Sequence, residues 1–232
     1  MVSLIGWMIG LTASAVLLCG CIFGLLSFYH SRKLKAELLA VAGLVMIFLG
    51  LLYLGPLVDF LLVIFTGKNL NPEKLVSLLS YTWVAPGLIL AMYLGAEMMI
   101  PKKKWIIVGI YAVLGIIFEL FLWLDTDAAF YYTLGIPGED LIDASYYRTH
   151  PMFILIVIFL VSVFVFNGIG FLLKAFKTTG EIRKKYLYLG LGFIIFTISG
   201  VFDSLVAPGI GLLFARMGML VYIILVYMGV KT

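Results

Sequence analysis

Ser199-Gly200-Val201-Phe202-Asp203-Ser204-Leu205-Val206-Ala207-Pro208-Gly209-Ile210-Gly211-Leu212-Leu213-Phe214-Ala215-Arg216-Met217 joins two long apolar segments through a Gly/Pro corner. It sets a carboxylate, Asp203, and a guanidinium, Arg216, in sequence that otherwise suits hydrocarbon. A charge in a membrane span is costly, so it normally faces a partner, a cavity or a pathway. The corner is therefore the leading candidate site, and the apolar runs on either side of it set the fold.

Such runs recur along the chain. Of 232 residues, 64% are hydrophobic and 12% charged, far from the balance of a soluble domain. Seven segments have the ~20 helical residues that cross ~30 Å of hydrocarbon: Leu4–Tyr29, Leu38–Phe65, Leu75–Ile100, Trp105–Leu124, Met152–Phe176, Tyr186–Val206 and Ile210–Val230. The expected fold is an all-α integral membrane protein, a single seven-transmembrane-helix bundle with one long outer loop, residues 125–151.

Basic residues decide orientation. Twelve lie on one side: Arg32, Lys33, Lys35, Lys102, Lys103, Lys104, Lys174, Lys177, Arg183, Lys184, Lys185 and Lys231. Only Lys68, Lys74 and Arg148 lie on the other, and Arg216 is inside a span. This predicts an outside N-terminus, a cytoplasmic C-terminus and a multi-pass protein of the plasma membrane. The net charge of +4 is explained by topology and calls for no nucleic acid; the lipid bilayer is the expected partner, with a weak affinity for anionic lipid.

The first segment has no basic residue before it and is expected to stay as an anchor. Its stripe of Gly6, Gly10, Ala13, Gly20, Gly24 and Ser27 suits close helix packing, within the bundle or as a homo-oligomer face. Cys19 and Cys21 point to different helix faces and cannot bridge. In the second segment, Gly55-Pro56 predicts a kink. The third has a polar outer half, Ser77, Ser80, Tyr81, Thr82 and Trp83, ahead of Pro86-Gly87. Those side chains either line a cavity or bond the neighbouring helices and the backbone that Pro86 frees. Asn167 reads as a helix–helix hydrogen bond, and Glu97 as an interfacial acid beside Lys102–Lys104. The long loop is acidic and aromatic, and a short hairpin or helix across the outer mouth is expected there. Tyr131, Tyr132, Asp140 and Asp143 are its candidate lid residues.

Depth follows from counting ~1.5 Å per residue along each span. Glu119 falls ~21 Å and Asp203 ~25 Å from the inner edge, while Arg216 and Trp83 fall ~12 Å below the outer edge. Asp59 belongs near the same outer surface. These five residues, on five helices, form the candidate ligand pocket or ion network, with Arg216 paired to Asp203, to Glu119 or to both. Three acids against one base leave an excess of negative charge, so a carboxyl holds a proton or a cation enters. The competing reading is a buried ion network that only fixes helix positions. His30 and His150 sit at span ends on opposite sides, and no Gly-rich phosphate loop precedes a helix. No cofactor, metal or catalytic residue is expected.

Three features carry a resemblance: the loop containing Pro137-Gly138-Glu139-Asp140-Leu141-Ile142-Asp143, the basic Arg183-Lys184-Lys185 before the sixth span, and Gly200-x-x-Asp203 followed by Pro208-Gly209 and Arg216. In these the chain resembles the seven-span, N-outside input domains of membrane histidine kinases and uncharacterised archaeal seven-span proteins. The resemblance implies sensing, with the departure that no kinase is expected after the seventh span. A retinal protein would need a lysine in mid-span between Ile210 and Val230, and there is none. The functional expectation is a sensory or receptor-like module with an outward-facing polar pocket, signalling through a separate cytoplasmic or membrane partner. One alternative is a small transporter or a cation or proton pathway, since Leu57–Leu61 and Val201–Leu205 sit in equivalent places. A structural subunit of a membrane complex is the other.

Overall fold

The computed structural model describes residues 1–206 and 209–231; Ala207 and Pro208, at the centre of the expected corner, lie outside the described residues. The helices are α1 (Leu4–Leu34), α2 (Glu37–Leu51), α3 (Leu54–Thr66), α4 (Lys74–Tyr81), α5 (Val84–Met99), α6 (Lys104–Leu124), α7 (Thr126–Ala129), α8 (Pro151–Val163), α9 (Gly170–Phe176), α10 (Gly180–Leu205) and α11 (Ile210–Lys231). A π-helical stretch, Phe164–Ile169, links α8 to α9. Strands β1 (Phe130–Thr133) and β2 (Asp143–Tyr146) form an antiparallel hairpin in which Phe130 pairs with Tyr146 and Thr133 with Asp143.

Among the described residues, six helices or continuous helical runs are long and apolar enough to cross a membrane, and the bent pair α2–α3 makes a seventh if counted as one span. This is a multi-pass membrane protein. The side chains turned outward agree: α6 exposes Ile106, Ile110, Val113, Ile116 and Leu120, a stripe that water would not tolerate on a folded surface. Trp105 and Trp123 are exposed near its two ends, as interfacial aromatics are. α1 extends past the expected Tyr29 to Leu34, where Arg32 and Lys33 suit the negative end of the helix dipole. α10 begins at Gly180, six residues before the apolar run, because its first turns are charged and exposed.

Both interrupted spans follow from proline. A proline ring collides with the carbonyl four residues earlier and offers no N–H. Pro56 is the third residue of α3, and the helix breaks at Leu52–Tyr53 with a 43° bend. Pro86 is likewise the third residue of α5, and the break falls at Thr82–Trp83. The groups freed at the breaks are recaptured locally: the Gly55 N–H donates to Ser80 Oγ (3.2 Å), the Thr82 hydroxyl to the Leu78 carbonyl (2.7 Å) and the Trp83 indole N–H to the Leu79 carbonyl (2.9 Å).

The spans close into a ring in which α1 meets both α2 and α11, α10 packs on α11, α5 contacts α2 and the π-helical stretch, and α6 lies outside against α5. On α1 the small-residue stripe meets α2: a Cβ on Gly24 would lie 2.6 Å from the Gly43 carbonyl oxygen, and one on Gly20 2.8 Å from that of Met46. The stripe is thus used within the chain. Asn167 donates from Nδ2 to the Ala91 carbonyl (2.9 Å), the expected bond between helices. Phe118, Phe159, Phe193, Phe196 and Tyr222 fill the centre. One end of the bundle carries the basic turns, with Lys104 paired to Glu97 at 2.6 Å. The other carries the hairpin.

Candidate functional site

Arg216 lies on the buried stripe of α11 with Leu212, Met219 and Ile223, so helical periodicity turns its guanidinium into the bundle. Its side chain is 6% exposed. Nη1 donates to the Ile9 carbonyl (2.6 Å) and to Thr12 Oγ1 (3.3 Å), both on α1. The guanidinium carbon stands 5.3 Å from the centre of the Tyr53 ring, which the α2–α3 break presents. Nε faces Asp203 Oδ1 at 3.6 Å, an ion pair just beyond direct hydrogen-bond length. Asp203 belongs to the last turn of α10, at the negative end of that helix dipole, where its carboxylate depends on the guanidinium opposite.

These two charges border a cavity of ≈130 Å³, well above the ~10–15 Å³ that one water requires. Its walls include Tyr53, Tyr81, Ser80, Ser204 and Phe196, and β2 closes it with Asp143 and Tyr146. Burial raises the Asp143 carboxyl above the usual range; the Ser145 hydroxyl (3.3 Å) opposes this, and Asp203 adds to it. Burial likewise pushes the Tyr146 hydroxyl well up. Tyr81 packs on both Phe130 and Tyr146, with ring centres 5.0 Å from each, and those two rings lie 4.6 Å apart. Tyr146 Oη, Asp203 Oδ1 and Arg216 Nε are buried and complete no hydrogen bond of ordinary geometry, with Tyr146 held against Tyr81 and Asp203 against Arg216 and Tyr53. All three belong to residues lining the same cavity.

Asp59 is fully buried elsewhere at the hairpin end and does not border this cavity. It accepts from the backbone N–H groups of Leu70 (2.7 Å) and Ile142 (2.8 Å) and from Asn69 Nδ2 at 3.3 and 3.2 Å on its two oxygens. Asn69 also donates to the Asp140 carbonyl (2.8 Å) and accepts from the Gly138 N–H (2.7 Å). Asp140 accepts from the Ser3 hydroxyl and from the Ile136 N–H (2.8 Å), and these bonds hold its carboxyl below the usual range. Asp59, Asn69 and Asp140 therefore clasp the two loops and the start of α1 together.

Trp83 stacks on Phe48 at 6.0 Å and spends its N–H on the α4 backbone. Glu119 lies in the groove between α6 and α5, beside Ala85 and Pro86, and accepts from the Trp123 indole N–H (3.2 Å). The structure thus joins Asp203 and Arg216, places Asp143 with them, and leaves Asp59, Trp83 and Glu119 outside the cavity. Of the other lid residues, Tyr132 shares a hydrogen bond with Ser77 on α4 (3.1 Å), and Tyr131 is exposed against Tyr147. Sequence reading did not assign Tyr53, Tyr146 or Thr12 to the site. Tyr53 stands next to a predicted proline kink, which was the available signal; nothing in the sequence set Tyr146 opposite Tyr81. No group of three His, Cys, Asp or Glu among the described residues could hold a metal ion.

Comparison with protein-family models and with curated proteins finds no match to this chain.

Proposed function

We propose that this protein is a sensory or receptor-like module of the plasma membrane whose ligand occupies the cavity between Asp203, Arg216 and β2. The observation that carries the reading is the set of three buried polar atoms, Tyr146 Oη, Asp203 Oδ1 and Arg216 Nε, that border a single cavity and hold one another or their neighbours only at longer than ordinary hydrogen-bond geometry. Buried polar atoms are nearly always bonded, so such a cluster marks a place where water or a ligand completes the set. The proposed orientation sets the hairpin end outside and the lysine-rich end in the cytoplasm, by the distribution of basic residues. The resemblance to kinase input domains supports the same reading: a bound ligand would favour one arrangement of α10 and α11, and a cytoplasmic or membrane partner would read it.

The second reading, transport of a small solute, is favoured by the two proline-broken spans that meet beside the cavity, since broken helices often frame transporter sites. One experiment separates the two. The full chain, reconstituted in nanodiscs and in sealed proteoliposomes, is challenged with small ammonium compounds, carboxylates and neutral solutes at fixed ionic strength. A sensor shows saturable thermal stabilisation by one class and no net uptake of it. Uptake above protein-free vesicles identifies a transporter, and no stabilisation by any class refutes the ligand-site reading.

A further inference from the structure

The charges and rings around the cavity narrow the ligand class, an inference that rests on the ligand-site reading above. Among the described residues the one cationic wall group, Arg216, already directs Nη1 to the Ile9 carbonyl and Thr12, and turns Nε toward Asp203. An anionic ligand would have to compete with those partners and approach two carboxyl groups, Asp143 and Asp203. A cation meets the opposite field. With both acids ionised, the two carboxylates outnumber the guanidinium, and Tyr53, Tyr81 and Tyr146 line the same cavity with aromatic surface on which an alkyl group can pack. Tyr146 is 5% exposed and borders the cavity beside Tyr81, so its hydroxyl oxygen lies near any donor held there. A hard divalent ion such as calcium or magnesium fits poorly, because it seeks six or more oxygen ligands and among the described residues two carboxyl groups line the cavity.

We propose that the cavity binds a small organic monocation, a protonated amine of a few heavy atoms, with its ammonium group against Asp143 and Asp203 and its alkyl part among the tyrosine rings. Asp143 is the specificity-determining acid because Asp203 is already shared with Arg216. The amine enters as the cation and leaves as the cation, so no covalent step is involved.

The test uses the full chain in nanodiscs and reads both calorimetric binding and thermal unfolding. Methylammonium, ethanolammonium and tetramethylammonium are compared with sodium and potassium, with the neutral isostere tert-butanol and with acetate, all at matched ionic strength. The expected result is saturable binding of at least one ammonium compound, weakened about tenfold or more in Asp143→Asn, as loss of a charge-assisted contact should. Tyr146→Phe should weaken it a few-fold with an unchanged circular dichroism spectrum, which keeps the test valid if Asp143→Asn loosens the hairpin. Binding of acetate or tert-butanol in place of the ammonium compounds overturns the cation assignment and leaves the ligand site standing. Ammonium affinity unchanged by both substitutions also overturns it, and saturation by none of these compounds removes both the assignment and the site.

Discussion

Arg216→Met keeps the bulk of a long side chain and deletes its charge and donors. The Ile9 carbonyl lies within helix α1, and the Thr12 hydroxyl still donates to Met8, so losing the two Nη1 bonds costs only about 1 kcal/mol. The larger loss is at Asp203, left without its counter-charge. Removing one member of a buried pair costs ~3–5 kcal/mol, and the 29% exposure of the Asp203 side chain puts this case near ~3. The total is about 4 kcal/mol, a large share of a typical membrane domain's stability. Adding Asp203→Asn should recover at least ~1 kcal/mol, because the stranded charge goes with it. Reversible unfolding in mixed micelles, followed by near-ultraviolet circular dichroism, measures both. An Arg216→Met variant within about 0.5 kcal/mol of the native chain, or a double variant in which the single costs simply add, would refute the reasoning.

Asp59→Ala strands the N–H groups of Leu70 and Ile142, at ~1–3 kcal/mol each, and hydrogen exchange should speed at both loops while the lysine-rich end stays protected. Trp83→Phe keeps a ring on Phe48 and gives up only the bond to Leu79, so a loss of about 1 kcal/mol is expected, with ammonium affinity unchanged. The pH dependence follows from the raised Asp143 carboxyl. A raised acid holds its proton to higher pH in the folded protein, so ionising it costs stability as pH climbs from the ordinary carboxylate range through its own titration. A bound cation offsets that cost, and ammonium affinity should therefore rise with pH across the same window. The groups facing Asp143 there are Asp203, Arg216, Tyr81, Ser145 and Thr133. Calorimetric titrations at several pH values check this, and the slope should vanish in Asp143→Asn. Asp140 runs the other way: its bonds to Ser3 and Ile136 hold above the usual range and are lost as pH falls below it, so slow exchange of the Gly6 amide should survive mild acid.

Helices, loops and prolines were legible in this sequence because the signals are local. Pro56 and Pro86 each act on a carbonyl four residues away, and the two breaks fall there. Asn167 could be read as a bond between helices since an amide in hydrocarbon has little else to do. The meeting of Asp203 with Arg216 was legible for a related reason: both flank one corner, and neighbours in an antiparallel pair of helices share a depth. Depth alone was a weaker guide for Asp59, Trp83 and Glu119. Counting residues gives height within the membrane but not the direction a side chain faces. Glu119 shares a level with the cavity, yet the α6 periodicity sets it one turn beyond Gly115 in the groove against Ala85 and Pro86 of α5, while Asp59 shares the correct end of the bundle but is held by loop amides. Asp143 was read as a lid residue only, because its position in the cavity depends on the hairpin register pairing it with Thr133. No spacing along the chain encodes that.

The direct trial of a wet chamber at the hairpin end is the reactivity of one introduced thiol. Ser204, on the cavity wall, becomes cysteine in a chain whose Cys19 and Cys21 are alanine, and a membrane-impermeant cationic methanethiosulfonate is applied in nanodiscs. Ser204→Cys is predicted to react many times faster than Leu120→Cys on the exposed face of α6, and to slow when methylammonium is present. Equal, negligible reactivity at the two positions would mean that water and cations do not reach Asp203 and Arg216.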